Sequence, residues 1–257
     1  MTGQSLRRGD VRATRLDNIQ RSKQGGAARP CQKCDPMPPK PVLHRDDPSA
    51  APLVGNVKVT RDDWLNVAMD VLITDGVEQV KVLALSERLN VSRSSFYWYF
   101  KSRQDLLDAL LKTWEQTNTA AMVARAEAPA EAITGAVLNI FHCIANPALF
   151  NTALDFAVRD WARRSGKVRS LLDRSDALRL EALTQMFMRF GFAELEAMTR
   201  AKVLYYMQLG YGMAEPNESH AHRLQMTPYY LKVFTGCEPS ASELEEFADF
   251  TKKYWDI

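Results

Sequence analysis

An all-α chain is what this sequence predicts, and three observations carry that reading. From Thr60 onward the apolar residues recur at helical spacing in one stretch after another. Between the stretches stand helix start and stop signals, a Ser, Thr or Asn before and a Gly or Pro after. No segment alternates apolar and polar residues over the length a strand needs. The expected architecture is an N-terminal three-helix head of the helix-turn-helix type, followed by a helical body.

The head reads in order. Thr60 with Asp63 forms a Thr-x-x-Asp capping box, Trp64, Ala68, Val71 and Leu72 make one apolar face, and Gly76 ends the helix. Val80-Lys81 leads into a second helix whose buried stripe is Val82, Leu85 and Leu89. Asn90-Val91 is the tight turn, since Asn tolerates the left-handed conformation better than other residues with a side chain. Ser92 is expected to cap a third short helix with Phe96 and Phe100 inward. Ser102 with Asp105 starts the next helix, which carries Leu106, Leu107, Leu110, Leu111 and Trp114 and runs to about Glu127.

The body is read from its punctuation. Pro129, at a first helical position, opens a helix to Ala145, and Asn146-Pro147 starts another that runs to Arg164 and is closed by Gly166. Further helices are expected from Val168 to Phe190, Ala193 to Met213, Glu218 to Phe234 with a break near Pro228, and Ala241 to Trp255.

Composition bounds the rest. At 257 residues, 46% hydrophobic and 25% charged, the chain has ordinary globular proportions. No run reaches the roughly eighteen apolar residues of a membrane span, and the basic N-terminus lacks the apolar core of an export signal. The expected address is the cytoplasm, with no membrane partner. Residues 1–58 hold eleven Lys/Arg against five Asp/Glu, a net +6, and are dense in Pro; an unfolded basic extension is expected there. Such a tail could lie along phosphates, and it reads equally as a dispensable leader or a start codon placed too far upstream. The remaining 22 Lys/Arg and 26 Asp/Glu leave −4. A body this acidic cannot hold nucleic acid by bulk charge, so cations must gather on one face, for which Lys81, Arg93, Lys101 and Arg103 are available. The division expected is 1–58 extension, 59–112 head and 113–257 body.

Two short helices joined by a tight turn present the start of the second to a major groove, where Arg can donate a bidentate pair to guanine. Arg93, Ser94 and Ser95 hold those positions. Ser92 reads as a cap first and a phosphate contact second. Phe96 and Phe100, four apart, claim the interior, which pushes Tyr97 and Trp98 outward; Tyr99 reads equally as a contact or as half-packed under the helix. Lys81 and Lys101 add charge toward phosphates.

Three groups of residues here, Leu89-Asn90-Val91-Ser92, Phe96-Tyr97-Trp98-Tyr99-Phe100, and Lys101-Ser102-Arg103 before Leu106-Leu107, resemble the DNA-binding domain of the tetracycline-repressor (TetR) family of bacterial regulators. Asn90 stands where that family usually has Gly, and Tyr99 where His is common. The resemblance implies a phosphate-binding role for Tyr97, a linking role for the fourth helix, and a dimer made by the late helices as a four-helix bundle. It also implies a homodimeric repressor of a double-stranded, pseudopalindromic operator, released by a small-molecule effector.

Catalytic signals are missing from the pattern. His44, His142, His220 and His222 show no ligand spacing, Cys31-x-x-Cys34 has no second pair and reads as incidental, and no phosphate loop or nucleophile elbow occurs. No enzyme, cofactor or metal is expected. His142, Arg159 and Gln208 are polar residues on otherwise apolar helices and are the effector-contact candidates. Gly210 and Gly212 each weaken their helix by about 1 kcal/mol relative to Ala, which suggests a close helix approach at a dimer interface. The alternatives are a helical ligand-binding protein or enzyme keeping the helix-turn-helix as a structural corner, and an adaptor anchored by Tyr97-Trp98.

Overall fold

The computed structural model describes residues 59–214 and 216–254. The expectations for residues 1–58, with Cys31, Cys34 and His44, lie outside these, as does the expected end of the last helix at Trp255. All described residues fall within one unit, Pro41–Ile257, and among them no strand occurs.

The head begins with α1, Arg61–Asp75, and its capping box forms as the sequence predicts, with Asp63 N donating to Thr60 Oγ1 and Thr60 N to Asp63 Oδ2. Gly76 at φ 81° ends it and a single 3₁₀ turn, Val77–Gln79, follows. Then come α2, Val82–Leu89, and α3, Arg93–Phe96, separated by Asn90 in the left-handed region at φ 52° and ψ 48°. Among the described residues Asn90 is the one non-glycine at positive φ, which explains how the turn closes without the usual Gly. Helix α4, Arg103–Trp114, is capped by Ser102 Oγ accepting from Asp105 N. The Asp105 carboxylate reaches back to Lys101 N, one residue earlier than a capping box requires.

α4 passes through a π-helical segment, Glu115–Thr119, into α5, Ala120–Glu127. The body continues with α6, Ile133–Ala145; α7, Thr152–Ala162; α8, Gly166–Arg189; α9, Glu194–Ala214; α10, His220–Thr235; and α11, Ala241–Thr251. Several sequence boundaries move. Pro129 precedes α6 by a full turn, and α7 is capped by Asn151 Oδ1 accepting from Leu154 N rather than by Asn146. Asn146 instead accepts from Ala148 N and folds the 146–150 connection on itself. Gly166 opens α8 under a Ser165 cap rather than closing α7. α10 runs unbroken through Pro228, because one lost N–H bond inside a helix of 16 residues can be offset by tertiary packing.

The buried apolar residues form two clusters. The first joins the head residues Trp64, Leu85, Leu89, Phe96, Phe100 and Leu107 to Leu154, Val158, Trp161, Val168 and Leu172 of α7 and α8. The second fills the body between α5, α6, α8, α9, α10 and α11, around Val137, Met186, Phe187, Leu204, Leu231 and Phe247. The head core thus continues into α7, so the head cannot tilt without α7 and the start of α8 responding.

Between the clusters runs a buried polar network. Asp155 accepts from Trp114 Nε1 at 2.8 Å and from Arg159 Nε at 2.9 Å, and Arg179 Nη2 stands 2.9 Å from its Oδ1. Arg179 also donates to Thr119 Oγ1 and to the Tyr205 hydroxyl. Two cations, Arg159 and Arg179, face two anions, Asp155 and Asp176, so the network's charges balance, with Asp155 and Arg179 buried and the other two partly exposed.

Candidate nucleic-acid interface

The outward face of the head follows from what holds its inward face. Phe96 is fully buried, edge-on to Trp64 with ring centroids 5.2 Å apart, and stacked on Phe100 at 5.4 Å. Leu85 and Leu89 of α2 close the same core. With Phe96 fixed inward, helical geometry turns the preceding residues of α3 away from the core. Arg93 and Ser94 are exposed and Ser95 is half-buried, its hydroxyl donating to Ser92 O at 2.8 Å. Tyr97 and Trp98 are 62% and 69% exposed, an unusual amount of outward-facing surface for large aromatic side chains.

Two expectations change in the structure, and Tyr99 takes the half-packed of its two readings. Ser92 precedes α3 in extended conformation, but its hydroxyl shares a 2.7 Å bond with Ser94 Oγ and caps no backbone N–H. Tyr99 turns under the head, half-buried, and its hydroxyl donates to Val59 O at 2.7 Å. That bond withdraws Tyr99 from the outward set and ties the segment before α1 to the turn that follows α3. Arg103 donates from Nε to Val80 O at 2.5 Å and from Nη2 to Val77 O at 2.6 Å, clamping the 3₁₀ turn instead of adding to a cationic face. Lys81 and Lys101 remain exposed, Lys81 with a 3.2 Å bond to Gln79 Oε1. Lys81, Arg93 and Lys101 are thus exposed, as are Ser92, Ser94, Tyr97 and Trp98.

In the body, a cavity of about 210 Å³ opens between α6, α7, α9, α10 and α11. Of the effector candidates only Gln208 lines it. His142 lies to one side, its ring 5.1 Å from Phe247 and 4.4 Å from Phe250, with Nε2 buried and unbonded. Burial, and then the Arg125 charge, push the His142 imidazole below its usual value. Arg159 lies in the network, bidentate to Asp176 and bonded to Asp155 and Tyr205, and does not line the cavity. Among the cavity residues that the sequence did not single out are Arg223, Thr227 and Tyr230 of α10, together with Tyr211 of α9. Their signal was present: Arg223, Thr227 and Tyr230 are spaced i, i+4, i+7 on one stripe.

Gly212 also has a different role from the one its sequence suggested. A Cβ there would lie 2.7 Å from Phe156 Cε2 and 3.1 Å from Thr152 Cγ2, so the close approach is to α7 of the same chain. Gly210 meets nothing within 4 Å. It lies on the stripe of α9 that leaves Leu195, Val203, Tyr206 and Met213 exposed.

Fold and site together define a helix-turn-helix protein with an all-helical, cavity-bearing body. Comparison with known proteins narrows this. Residues 65–110 match the family model described as bacterial regulatory proteins, tetR family. The chain is 26% identical over 153 residues to the class A tetracycline repressor protein from transposon 1721 of Escherichia coli, a match covering 60% of this chain and 65% of that protein. It is 38% identical over 53 residues to the Escherichia coli class C tetracycline repressor protein, covering 21% of this chain and 24% of that one. The matches thus span less than two thirds of either relative. Among solved structures, AmtR of Mycobacterium smegmatis is similar at a TM-score of 0.52 and 14% identity, over 78% of this chain and 96% of that one. The fatty acid degradation regulator FadR of Bacillus halodurans is similar at 0.50 and 16% identity, over 70% and 97%. Identities this low speak for the fold alone. The likeness to the tetR family model is confined to the head, residues 65–110. No helix among the described residues is long and apolar enough to cross a membrane.

Proposed function

We propose that the protein is a sequence-specific, DNA-binding transcriptional regulator. It acts as a cytoplasmic repressor that grips a pseudopalindromic operator as a homodimer and leaves it when a small molecule fills the body cavity. Residues 59–112 serve as the reading head and 113–257 as the effector-binding and dimerisation body. The observation that carries this reading is the exposure of the Arg93–Trp98 segment while Phe96 within it is fully buried. Arg93 is placed to reach base edges, and Ser94, Tyr97, Lys81 and Lys101 to hold the flanking phosphates.

One head offers few contacts, so two are needed, and a two-fold dimer supplies them at a fixed separation. The second copy is assigned to the face where α9 presents Val203, Tyr206 and Met213 and α10 presents Tyr229 and Val233, all more than half exposed. Such a run of apolar side chains on adjoining helices is more than scattered surface residues. An effector moves the assembly only by its differential affinity for the operator-bound and free states. The buried network is the assigned route, since it joins Trp114 at the end of α4 to Tyr205 of α9, the helix that gives the cavity Met207 and Gln208.

Footprinting the purified full chain on fragments of its source genome tests the proposal. The expected result is protection of an inverted repeat whose half-sites stand about one helical turn apart, with affinity falling steeply as salt rises. Failure to protect any fragment at low salt, together with turnover of a bound small molecule, would favour a helical enzyme or carrier with a structural helix-turn-helix.

A further inference from the structure

Among the described residues, the cavity of the body has one charged side chain in its wall, Arg223, and no Asp or Glu. That guanidinium is fixed. Its Cζ lies 5.1 Å from the ring centroid of Tyr211, whose hydroxyl in turn donates to Glu218. Glu218 is itself outside the cavity lining, and the Tyr211 phenol is pushed up to about 12, by burial and by that bond. Arg223 Nε is buried with no hydrogen-bond partner, and Arg223 forms no ion pair with any described carboxylate. An arginine cannot relieve this by losing its proton, so it holds a permanent charge and an unmet donor.

The rest of the wall is of another kind. Phe141, Phe247, Met207 and Tyr230 provide aromatic and sulfur surface, and Gln208 and Thr227 add neutral polar groups. At about 210 Å³ the space is smaller than the roughly 300–1,000 Å³ of sites for drug-sized ligands. An occupant must therefore be compact, apolar over most of its body, and anionic at one end.

We propose that this cavity binds a small aromatic or branched-chain monocarboxylate, with the carboxylate on Arg223 and the hydrocarbon body against Phe141, Phe247 and Tyr230. The assignment deepens the effector reading above and rests on it only for the consequence of binding, not for binding itself. A carboxylate matches the planar guanidinium fork and meets the donor that the fold leaves unpaired. A neutral isostere leaves that charge unmatched, and a cation is repelled. Selectivity for acid over amide is thus set by one side chain.

The experiment is calorimetric titration of the full chain, without DNA, with benzoate, phenylacetate, 3-phenylpropionate and isovalerate, each beside its primary amide. At least one acid should bind tenfold or more tightly than its amide. Arg223→Gln should bring acid and amide within about twofold of each other, while Arg223→Lys should keep the acid preferred. Parent-like helical circular dichroism and melting temperature in both variants show that they fold. Equal binding of acid and amide by the parent chain, binding of none of the acids by a chain that still binds DNA, or an acid preference undiminished in Arg223→Gln would each overturn the assignment. An acid that binds through Arg223 but leaves the DNA complex intact would uphold the ligand class and instead count against the effector-released regulator.

Discussion

The indole Nε1 of Trp114 donates to Oδ1 of Asp155 across 2.8 Å, joining the last turn of α4 to α7 inside the protein. The same carboxylate faces Arg179 and Arg159, and both it and Arg179 are almost wholly buried. Burial alone pushes the Asp155 carboxyl up; the charges of Arg179 and Arg159 more than reverse that and hold it below the ordinary carboxylate range. Such a group is needed as an anion, because removing it strands buried positive charge.

Asp155→Asn is therefore expected to destabilise the fold by about 3–5 kcal/mol, the usual cost of breaking one side of a buried pair. Denaturant unfolding at neutral pH measures it. Trp114→Phe keeps the ring packing but removes one donor, and should cost less, about 1–3 kcal/mol. A loss under about 1 kcal/mol in Asp155→Asn would mean that Arg159 and Arg179 find other acceptors.

The proposed function assigns readout and grip to different residues of the head. Arg93→Ala should lower affinity for the operator by about 1–3 kcal/mol while leaving binding to unrelated duplex nearly unchanged. Lys101→Ala should weaken both alike and reduce the slope of log affinity against log salt by about 1. Titrations of operator and scrambled duplex over a range of salt distinguish them. Equal losses on both duplexes for Arg93→Ala would move Arg93 to the phosphates.

Tyr97 and Tyr99, two residues apart, are expected to divide in the same way. Tyr99→Phe removes the bond to Val59 O and should cost about 0.5–1.5 kcal/mol of stability, with operator preference intact. Tyr97→Phe touches an exposed hydroxyl, so it should leave stability unchanged and weaken DNA binding. Melting temperature and duplex affinity measured on both variants decide it; reversal of the two phenotypes would refute the placement.

The sequence exposed the head far better than the body, for a physical reason. Caps and turns act over three or four residues, so Thr60 with Asp63, Asn90, and the Phe96–Phe100 pair could be read locally. Ser92 shows the limit even there, since a hydroxyl that can cap can as easily pair with its neighbour Ser94. Pro129 and Asn146 misled because each suits a helix start, while tertiary packing moved the actual starts to Ile133 and Thr152. Arg159 looked like a ligand contact because its acceptors lie up to 46 residues away, on helices whose packing no local pattern discloses. Arg223 went unnoticed for the opposite reason, as what distinguishes it is a missing partner.

Acid should loosen the body through His142. Its imidazole is depressed below the ordinary 6.5 by burial and by Arg125, and Nε2 is buried without a partner. Above pH 6.5 both folded and unfolded chains hold it neutral. As pH falls below that, the unfolded chain takes up the proton first, so this contribution to stability is lost until the folded imidazole also titrates. Denaturant midpoints at pH 7.5 and 5.5 should therefore fall further for the parent chain than for His142→Gln. Equal falls would show that other groups set the acid limb.

The stripe on α9 gives the last test, because Gly210 and Gly212 sit two residues apart with opposite surroundings. Gly212 is filled from within the chain by Phe156, whereas a methyl at Gly210 meets open space. In an isolated subunit Gly210→Ala should thus only add helix propensity, about 0.8–1 kcal/mol. In a dimer packed across Val203, Tyr206 and Met213, the same methyl enters the interface and should weaken association. The double change Val203→Glu with Tyr206→Glu places like charges on both copies of an exposed face, so each subunit should keep its helicity while the pair separates. Light scattering at micromolar concentration reads the mass, and a duplex titration should show the separated subunits losing operator affinity. If both variants remain dimeric and bind DNA as the parent does, the two copies must meet through a different surface.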